Sequence, residues 1–316
     1  MAGLVRWKTA AVRGRRIMKF ILIDLEWNGA PLYKTGGYFN EIIEIGAVKL
    51  DQSLETVSTF QMLVKPVVHK KLTGRVKRLT HISNDEVRAA QPFAETLQAF
   101  IEWVGEEENC FMSWGTGDLS VMIENLKHFG MEECPGFIER YMDAQELCRR
   151  KLGMEKAKQP GLSNVAELAG IHFEDMEMHR ALDDSIVMAK CVKALWDEAV
   201  AAELTYVFDK EFLRRLFFKA YYVSDPRNEL VDSTLFEQNC PKCGAKLVQL
   251  TKPRQRSRQI WIDYLCEGCD AQMTGRHRFR VLYEGVQHKV IWKDKVPEEQ
   301  ESEQSETAEE IPNNDD

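Results

Sequence analysis

Residues 20–26, Phe-Ile-Leu-Ile-Asp-Leu-Glu, constrain this chain more than any other stretch. A short unbroken apolar run is what a strand covered on both faces needs. It ends in two carboxylates. Residues two apart in a strand face the same way, so Asp24 and Glu26 project side by side, roughly 7 Å apart along the chain. Two acids at the edge of a core repel each other and lose hydration. A divalent cation relieves both problems. A strand that ends at the surface with two hydrated acids explains the pair equally well when it is taken alone.

The pattern around this run alternates strands with helices. Residues 41–50 and 56–64 are β-like, Pro66 and Gly74 interrupt, and 83–104 reads as helix broken at Pro92. Residues 110–114 read as strand, then Gly115 and Gly117 turn the chain into a helix over about 118–129, with further helices at 163–170 and 180–197. Such alternation predicts an α/β layer architecture. Asp118 follows Gly-Thr-Gly at a helix start, where Asp is also a favoured cap and where α/β folds place functional groups. In the last helix Asp184 shares a face with Val187, Cys191 and Leu195, whereas Asp183 shares one with Lys190 and Asp197. Asp184 is therefore the acid forced among core residues, and it needs a metal or a counter-charge. Asp183 reads as solvated. His179 opens the helix beside Asp184, and Glu44, inside an apolar strand, reads as structural.

Three motifs, Asp-Leu-Glu at 24–26, Trp-Gly-Thr-Gly-Asp at 114–118 and His-Arg-Ala-Leu-Asp-Asp at 179–184, together with Lys-Arg-Leu-Thr-His-Ile at 77–82, resemble the DEDDh family of 3′→5′ exonucleases. These are relatives of RNase T and of the proofreading subunit of bacterial DNA polymerase III. The resemblance covers residues from about 18 to 197 and is nearest the branch of KapD-like and histone-mRNA-trimming exoribonucleases. Trp27-Asn28-Gly29 departs from that branch, which usually has smaller residues there. The resemblance implies an RNase H-like fold and two Mg²⁺ or Mn²⁺ ions held by Asp24, Glu26, Asp118 and Asp184. It also implies a general base at His179, imidazole being suited to proton transfer near neutral pH. The implied substrate is nucleic acid, RNA favoured over DNA, degraded to nucleoside 5′-monophosphates. A DNA exonuclease of repair and a non-catalytic RNA-binding adaptor are the alternatives. Trp27, Leu79, Thr80 and Ile82 are candidates for packing against the terminal base.

A different module follows. Cys240, Cys243, Cys266 and Cys269 form two C-x2-C pairs separated by 22 residues, the spacing of a four-cysteine zinc ribbon with a closed, structural Zn²⁺. Residues 236–296 hold twelve Lys or Arg against six acids. Arg254, Arg256 and Arg258 alternate, as do Arg276, Arg278 and Arg280, with aromatics interleaved. Each trio is expected to line one face of a strand as a single-strand-binding surface.

The chain of 316 residues carries a net charge of −8, which looks hostile to nucleic acid. The segment Glu298–Asp316 holds nine acids and no base, and without it 42 basic residues face 41 acidic ones. The body is near neutral, so polyanion binding must come from local clustering. The organisation expected is a flexible basic arm at 1–17, an exonuclease domain at 18–200, a helical connector at 201–235, a zinc ribbon at 236–296 and a disordered acidic tail at 297–316. Met18 is a possible natural start. The remaining cysteines, Cys110, Cys134, Cys148 and Cys191, show no pairing pattern, which points to reduced thiols in a cytoplasm. No apolar run reaches the ~18 residues of a membrane-spanning helix. No partner protein or oligomeric state is legible.

Overall fold

The apolar run becomes β1 (Lys19–Pro31), a central strand of a seven-stranded mixed sheet. The computed structural model describes residues 18–32, 36–155, 159–172 and 179–295. The basic arm, the acidic tail and the segment at 173–178 lie outside them. Two compact units divide at Phe217/Phe218.

In the first unit β1 is followed by β2 (Tyr38–Leu50), β3 (Thr56–Lys65), α1 (Gly74–Thr80), α2 (Asn84–Ala89), β4 (Gln91–Pro92) and α3 (Phe93–Val104). Then come β5 (Asn109–Ser113), α4 (Gly117–His128), β6 (Arg140–Asp143), α5 (Ala144–Lys151), α6 (Leu162–Leu168), α7 (Ala181–Ala194), α8 (Glu198–Leu204), β7 (Tyr206–Val207) and α9 (Lys210–Leu216). The strand order is β4-β3-β2-β1-β5-β6-β7. β1 runs antiparallel to β2 and parallel to β5, so the sheet is mixed as an RNase H-like fold requires. Ile21, Ile23 and Leu25 face one core layer with α3 and α4. Phe20 and Leu22 face another with Met188 and Val192 of α7. Asp24 and Glu26 continue that second row, which aims them at α7.

β2 brings α7 unusually close. A Cβ on Gly46 would lie 2.1 Å from the Ala181 carbonyl carbon and 2.2 Å from the Leu182 nitrogen. Ser185 Oγ donates to the Gly46 carbonyl at 3.1 Å. Glycine is thus required by contact with helix backbone, not by its own dihedrals.

The second unit contains β8 (Tyr221–Val223), β9 (Leu247–Gln249), β10 (Arg254–Arg256), β11 (Gln259–Cys266), β12 (Gln272–Leu282) and β13 (Gly285–Asp294). The sheet runs β10-β11-β12-β13, with β8 on β12 and β9 on β11. Tyr264, Phe279 and Ile262 fill its core. The Tyr264 hydroxyl donates to the Phe236 carbonyl and meets His277 Nε2, each at 2.9 Å. His277 Nδ1 meets His288 Nε2, also at 2.9 Å. Burial lowers the His277 pKa to about 4, so this ring is neutral core material.

The expected connector at 201–235 is divided between the two units. β7 pairs with β6 and Phe208 is buried in the first core, whereas β8 pairs with β12. Strands of two and three residues are too short to show a period in the sequence. Gly74, which interrupts the strand pattern, opens helix α1, and Thr73 caps it by accepting from the Val76 N–H. β1 also extends past the acids to Pro31, with a register shift at Glu26/Trp27.

Replacing Gly46 with Ala should push the first turn of α7 off the sheet. A loss of about 3 kcal/mol of unfolding free energy is expected from overpacking against backbone. Chemical denaturation of the two proteins measures it, and an unchanged midpoint would contradict the contact.

Candidate functional site

β1 and α7 bring together three of the four expected carboxylates. Ligand oxygens of Asp24, Glu26 and Asp184 lie within 4.8 Å of one another. The strand period supplies the first two. The third arrives because α7 buries Asp184 together with Val187, Met188 and Cys191. Asp183 is partly exposed and lies outside the group.

Asp118 stands next to this group and also outside it. Its Oδ1 accepts the Leu25 N–H at 3.0 Å, a bond made to the strand between the two other acids. Asp118 enters α4 through a tight turn at Gly115, whose φ is +78°. Ser113 Oγ and the Tyr141 hydroxyl both donate to the Gly115 carbonyl, at 2.7 and 2.6 Å. The Gly115 N–H donates to Asp143 Oδ1 at 3.1 Å. The Trp-Gly-Thr-Gly-Asp motif is therefore a clamped turn that fixes where its acid points.

His179 is exposed and has a left-handed φ of +71°. Its N–H donates to Asp184 Oδ2 at 3.2 Å. The other oxygen, Asp184 Oδ1, is buried with no hydrogen-bond partner. An unsatisfied buried carboxylate oxygen is costly, and on a residue gathered with two other acids it suits a cation.

Glu44 holds the start of α7. It accepts from Arg180 Nη2 at 2.7 Å and Nε at 3.2 Å, from the Ala181 N–H at 3.1 Å and from Gln61 Nε2 at 2.9 Å. It is fully buried, so the pair is a structural latch, as the sequence suggested. The signal for its partner was present: a buried acid requires a cation, and Arg180 lies inside the third motif. Asn125, Asp143 and Glu41 were not singled out. Asn125 accepts from the Ile42 N–H and donates to the Asn40 carbonyl, and Glu41 accepts from the N–H groups of Val67, Val68 and His69. Buried polar residues with backbone partners leave no periodic trace.

The electrostatics follow from burial and crowding, which the nearby charges of Arg180 and His179 offset only in part. Burial, then Asp118 and Asp184, push the Asp24 carboxyl well above its ordinary range. Burial, then Asp184 and Glu44, raise Glu26 to about 8. Burial raises Asp118 to about 7, against the opposing hydrogen bond from Leu25. Burial likewise raises Asp184, while the His179 N–H and charge favour its ionised form. Hard oxygen donors and an orphaned buried oxygen fit a hard divalent cation.

Of the four candidates for packing a terminal base, two are structural. Ile82 is buried with Ile43, Leu72 and Val87. Thr80 is buried; its hydroxyl donates to the Val76 carbonyl and accepts the Ile82 N–H. The apolar residues there serve the core, and only Leu79, 43% exposed, and the partly buried Trp27 retain accessible surface.

In the second unit the Sγ atoms of Cys240, Cys243, Cys266 and Cys269 lie within 4.8 Å of one another. Cys240 and Cys269 are 3.8 Å apart and Cys243 and Cys266 3.3 Å. A tetrahedron with ~2.3 Å metal–sulfur bonds has edges of about 3.8 Å. Burial pushes the Cys240 thiol up, but N–H donors from Cys243 and Lys242 outweigh it and bring it to about 7. The set fits a zinc ribbon. One of the two arginine trios lies on a single strand face and the other does not. β12 carries Arg276, Arg278 and Arg280 on one face. The other trio is not one strand face: β10 ends at Arg256, and Ser257-Arg258 form the hairpin turn with φ of +48° and +58°. Arg254 is paired with Asp263 at 2.8 Å.

The sequence profile of the exonuclease family RNase_T matches residues 21–192. The 3′-5′ exoribonuclease 1 of Rattus norvegicus is 29% identical over 168 residues, 51% of this chain and 48% of that protein. The probable 3′-5′ exonuclease KapD of Bacillus subtilis (strain 168) is 31% identical over 106 residues, 33% of this chain and 51% of that protein. Among solved structures, the nuclease domain of 3′hExo, a DEDDh family member bound to rAMP, superposes with a TM-score of 0.51 at 22% identity. The alignment covers 61% of this chain and 96% of that one, which establishes the common fold. The chain spans about half the length of the curated relatives it matches. It belongs to the RNase_T family of exonucleases, and the resemblance read from its motifs is borne out.

In the ion-free protein Glu26 and Asp118 bind protons more tightly folded than unfolded. Their stabilisation is present below their ordinary values near 4 and is lost as pH rises through about 7 to 8. The melting temperature without divalent cations should therefore fall between about pH 5 and about pH 8. Adding Mg²⁺ or Mn²⁺ should raise it most at the alkaline end. Thermal denaturation across that range, with and without the ion, checks the sign; a cation effect independent of pH would contradict it.

Proposed function

We propose that this chain is a divalent-metal-dependent 3′→5′ exonuclease that releases nucleoside 5′-monophosphates from single-stranded RNA or RNA 3′ overhangs. The observation that carries the reading is the cluster of Asp24, Glu26 and Asp184, with Asp184 Oδ1 buried and unpartnered. Membership of an exonuclease family gives the reaction class. The RNA preference rests on the rat relative, which is an exoribonuclease, and on the ribonucleotide bound by 3′hExo.

Asp24, Glu26 and Asp184 would hold Mg²⁺ or Mn²⁺, with Asp118 beside them for a second ion. Such ions, when bound, supply positive charge to the scissile phosphodiester and acidify water. The protein's own residues do the rest. Asp118 braces β1 through Leu25. Glu44, Arg180 and Gly46 fix the first turn of α7, so that Asp184 is held at a set distance from Asp24. His179, exposed and tethered by its own N–H to Asp184, takes the proton from the attacking water. The proton leaves on the imidazole, and the leaving 3′ oxygen is reprotonated from solvent. In the second unit Cys240, Cys243, Cys266 and Cys269 would hold one Zn²⁺. All four positions are sulfur, so this ion is structural.

Activity on 5′-labelled single-stranded RNA should require Mg²⁺ or Mn²⁺ and vanish in Asp24→Ala and Asp184→Ala. Asp183→Ala should retain most of it. His179→Ala should fold and bind metal but lose ~10²–10⁴-fold in turnover. A time course on labelled RNA, DNA and duplex decides among the readings. Degradation of DNA alone makes this a DNA exonuclease, and no degradation of any polymer makes it an adaptor.

Cys266→Ser should lose its zinc, measured by metal content, and unfold the second unit, because zinc binding is folding energy in modules this small. The first unit has its own core, so hydrolysis of a very short oligonucleotide should survive. Equal loss on that substrate would mean the ribbon supports the catalytic fold.

A further inference from the structure

The sheet of the second unit has one face that the site above does not use. On β12, Met273, His277, Phe279 and Val281 are buried, and Arg276, Arg278 and Arg280 stand on the opposite side. β11 continues the division, with Ile260, Ile262 and Tyr264 inward and Trp261 outward. The register sets Trp261 opposite Arg276, Lys289 opposite Arg278 and Tyr222 opposite Arg280. Tyr222 is 47% exposed, an aromatic with no core to fill.

How the guanidiniums are held separates this face from an ordinary solvated exterior. Arg276 and Arg256 lie over the Trp261 ring, 4.4 and 4.5 Å from its centroid. The Gln259 amide oxygen, in the orientation that satisfies both groups, accepts from Arg278 Nε and Nη2 at 2.7 and 2.8 Å. These partners are neutral. They fix the planes of the guanidiniums without cancelling their charge, which leaves the outward N–H groups for an anion. Among the described residues Arg276, Arg278, Arg280 and Lys289 form no ion pair. The acid that shares the face, Asp263, is already engaged by Thr274, Arg254 and Lys295 at 2.7, 2.8 and 3.2 Å.

We propose that this face binds the phosphate backbone of a single-stranded nucleic acid, with Tyr222 stacking on an unpaired base at the end of the arginine row. The polyanion follows from charge complementarity, and its class rests on the exonuclease reading above. A single strand is favoured over a duplex because an exposed ring beside a cationic row is useful only to a base whose face is free.

The test uses the full chain and separates binding from turnover. The affinity of a long labelled single-stranded oligonucleotide is measured without divalent cations at several salt concentrations. Hydrolysis of a dinucleotide with Mg²⁺ is measured in parallel. Changing Arg276, Arg278 and Arg280 together to Gln should weaken long-strand binding about tenfold or more. It should also make the slope of log affinity against log salt shallower by about 2, at ~0.7 per phosphate contact on a single strand. Tyr222→Ala, an exposed position that does not threaten folding, should weaken binding roughly tenfold and leave the slope unchanged. Dinucleotide hydrolysis should be unchanged in both. Unchanged affinity in both variants overturns the proposal and leaves the face to an acidic protein partner. Duplex bound as tightly as single strand, with Tyr222→Ala neutral, overturns the single-strand assignment. If the wild type with Mg²⁺ degrades no single-stranded polymer, the exonuclease reading falls while the binding measurements still decide this face.

Discussion

Everything in the first unit depends on holding carboxylates together that would rather separate. Asp24 and Glu26 are forced onto one side of β1 by the strand period, and Asp184 is pressed toward them by the apolar face of α7. Burial and mutual repulsion push their proton affinities upward. The Arg180 charge near Glu26 and the His179 N–H on Asp184 relieve only part of that strain; packing elsewhere opposes the rest. The sheet contributes the Gly46 contact with helix backbone, and the Glu44–Arg180 latch secures the turn that precedes Asp184. Arg180 is ion-paired with Glu44 and offsets the crowding at Glu26 only in part, so the cluster is left short of positive charge. A divalent cation then gains from the repulsion that the fold has already opposed.

Asp118 shows how the same fold separates acids by role. Its Oδ1 is committed to the Leu25 N–H, whereas one oxygen of Asp184 has no partner. A carboxylate that braces the strand between Asp24 and Glu26 fixes the distance between them and a third element at once. Its own position is set by Ser113, Tyr141 and Asp143 around Gly115. The polar residues that matter here therefore form a ring of hydrogen bonds outside the acids, and each of them stiffens one element that carries an acid.

Much of this was legible in the sequence because it rests on periodicity. The strand period pairs Asp24 with Glu26, and the helix period picks Asp184 over Asp183. The cysteine spacing places four thiols within reach of one ion. What was not legible depends on contacts between distant segments. Thr80 and Ile82 carry no periodic signal of burial, but Thr80 ends α1 facing inward and Ile82 joins a buried cluster just after it. Residues 201–235 look like a connector because their strands are two or three residues long, too short for a period. Arg254, Arg256 and Arg258 alternate as a strand should, yet the hairpin turns after Arg256, and a two-residue turn is invisible to a test of alternation. Arg276, Arg278 and Arg280 satisfy the same test and do share a face, since β12 runs uninterrupted through them.

The two units apply one physical device with opposite signs. In the first, acids are gathered and the nearby guanidinium is ion-paired with Glu44, which leaves their mutual repulsion only partly offset at a fixed place. In the second, guanidiniums are gathered on β12 and oriented by an indole and an amide, while the acid on that face is engaged by Arg254 and Lys295. Charge that is balanced within the fold attracts nothing. Charge that is held rigid by neutral groups costs folding free energy and returns it on binding. A chain whose body is almost neutral can therefore present a cation site and an anion site together, because what each ligand senses is the local imbalance and its rigidity, not the sum over the sequence.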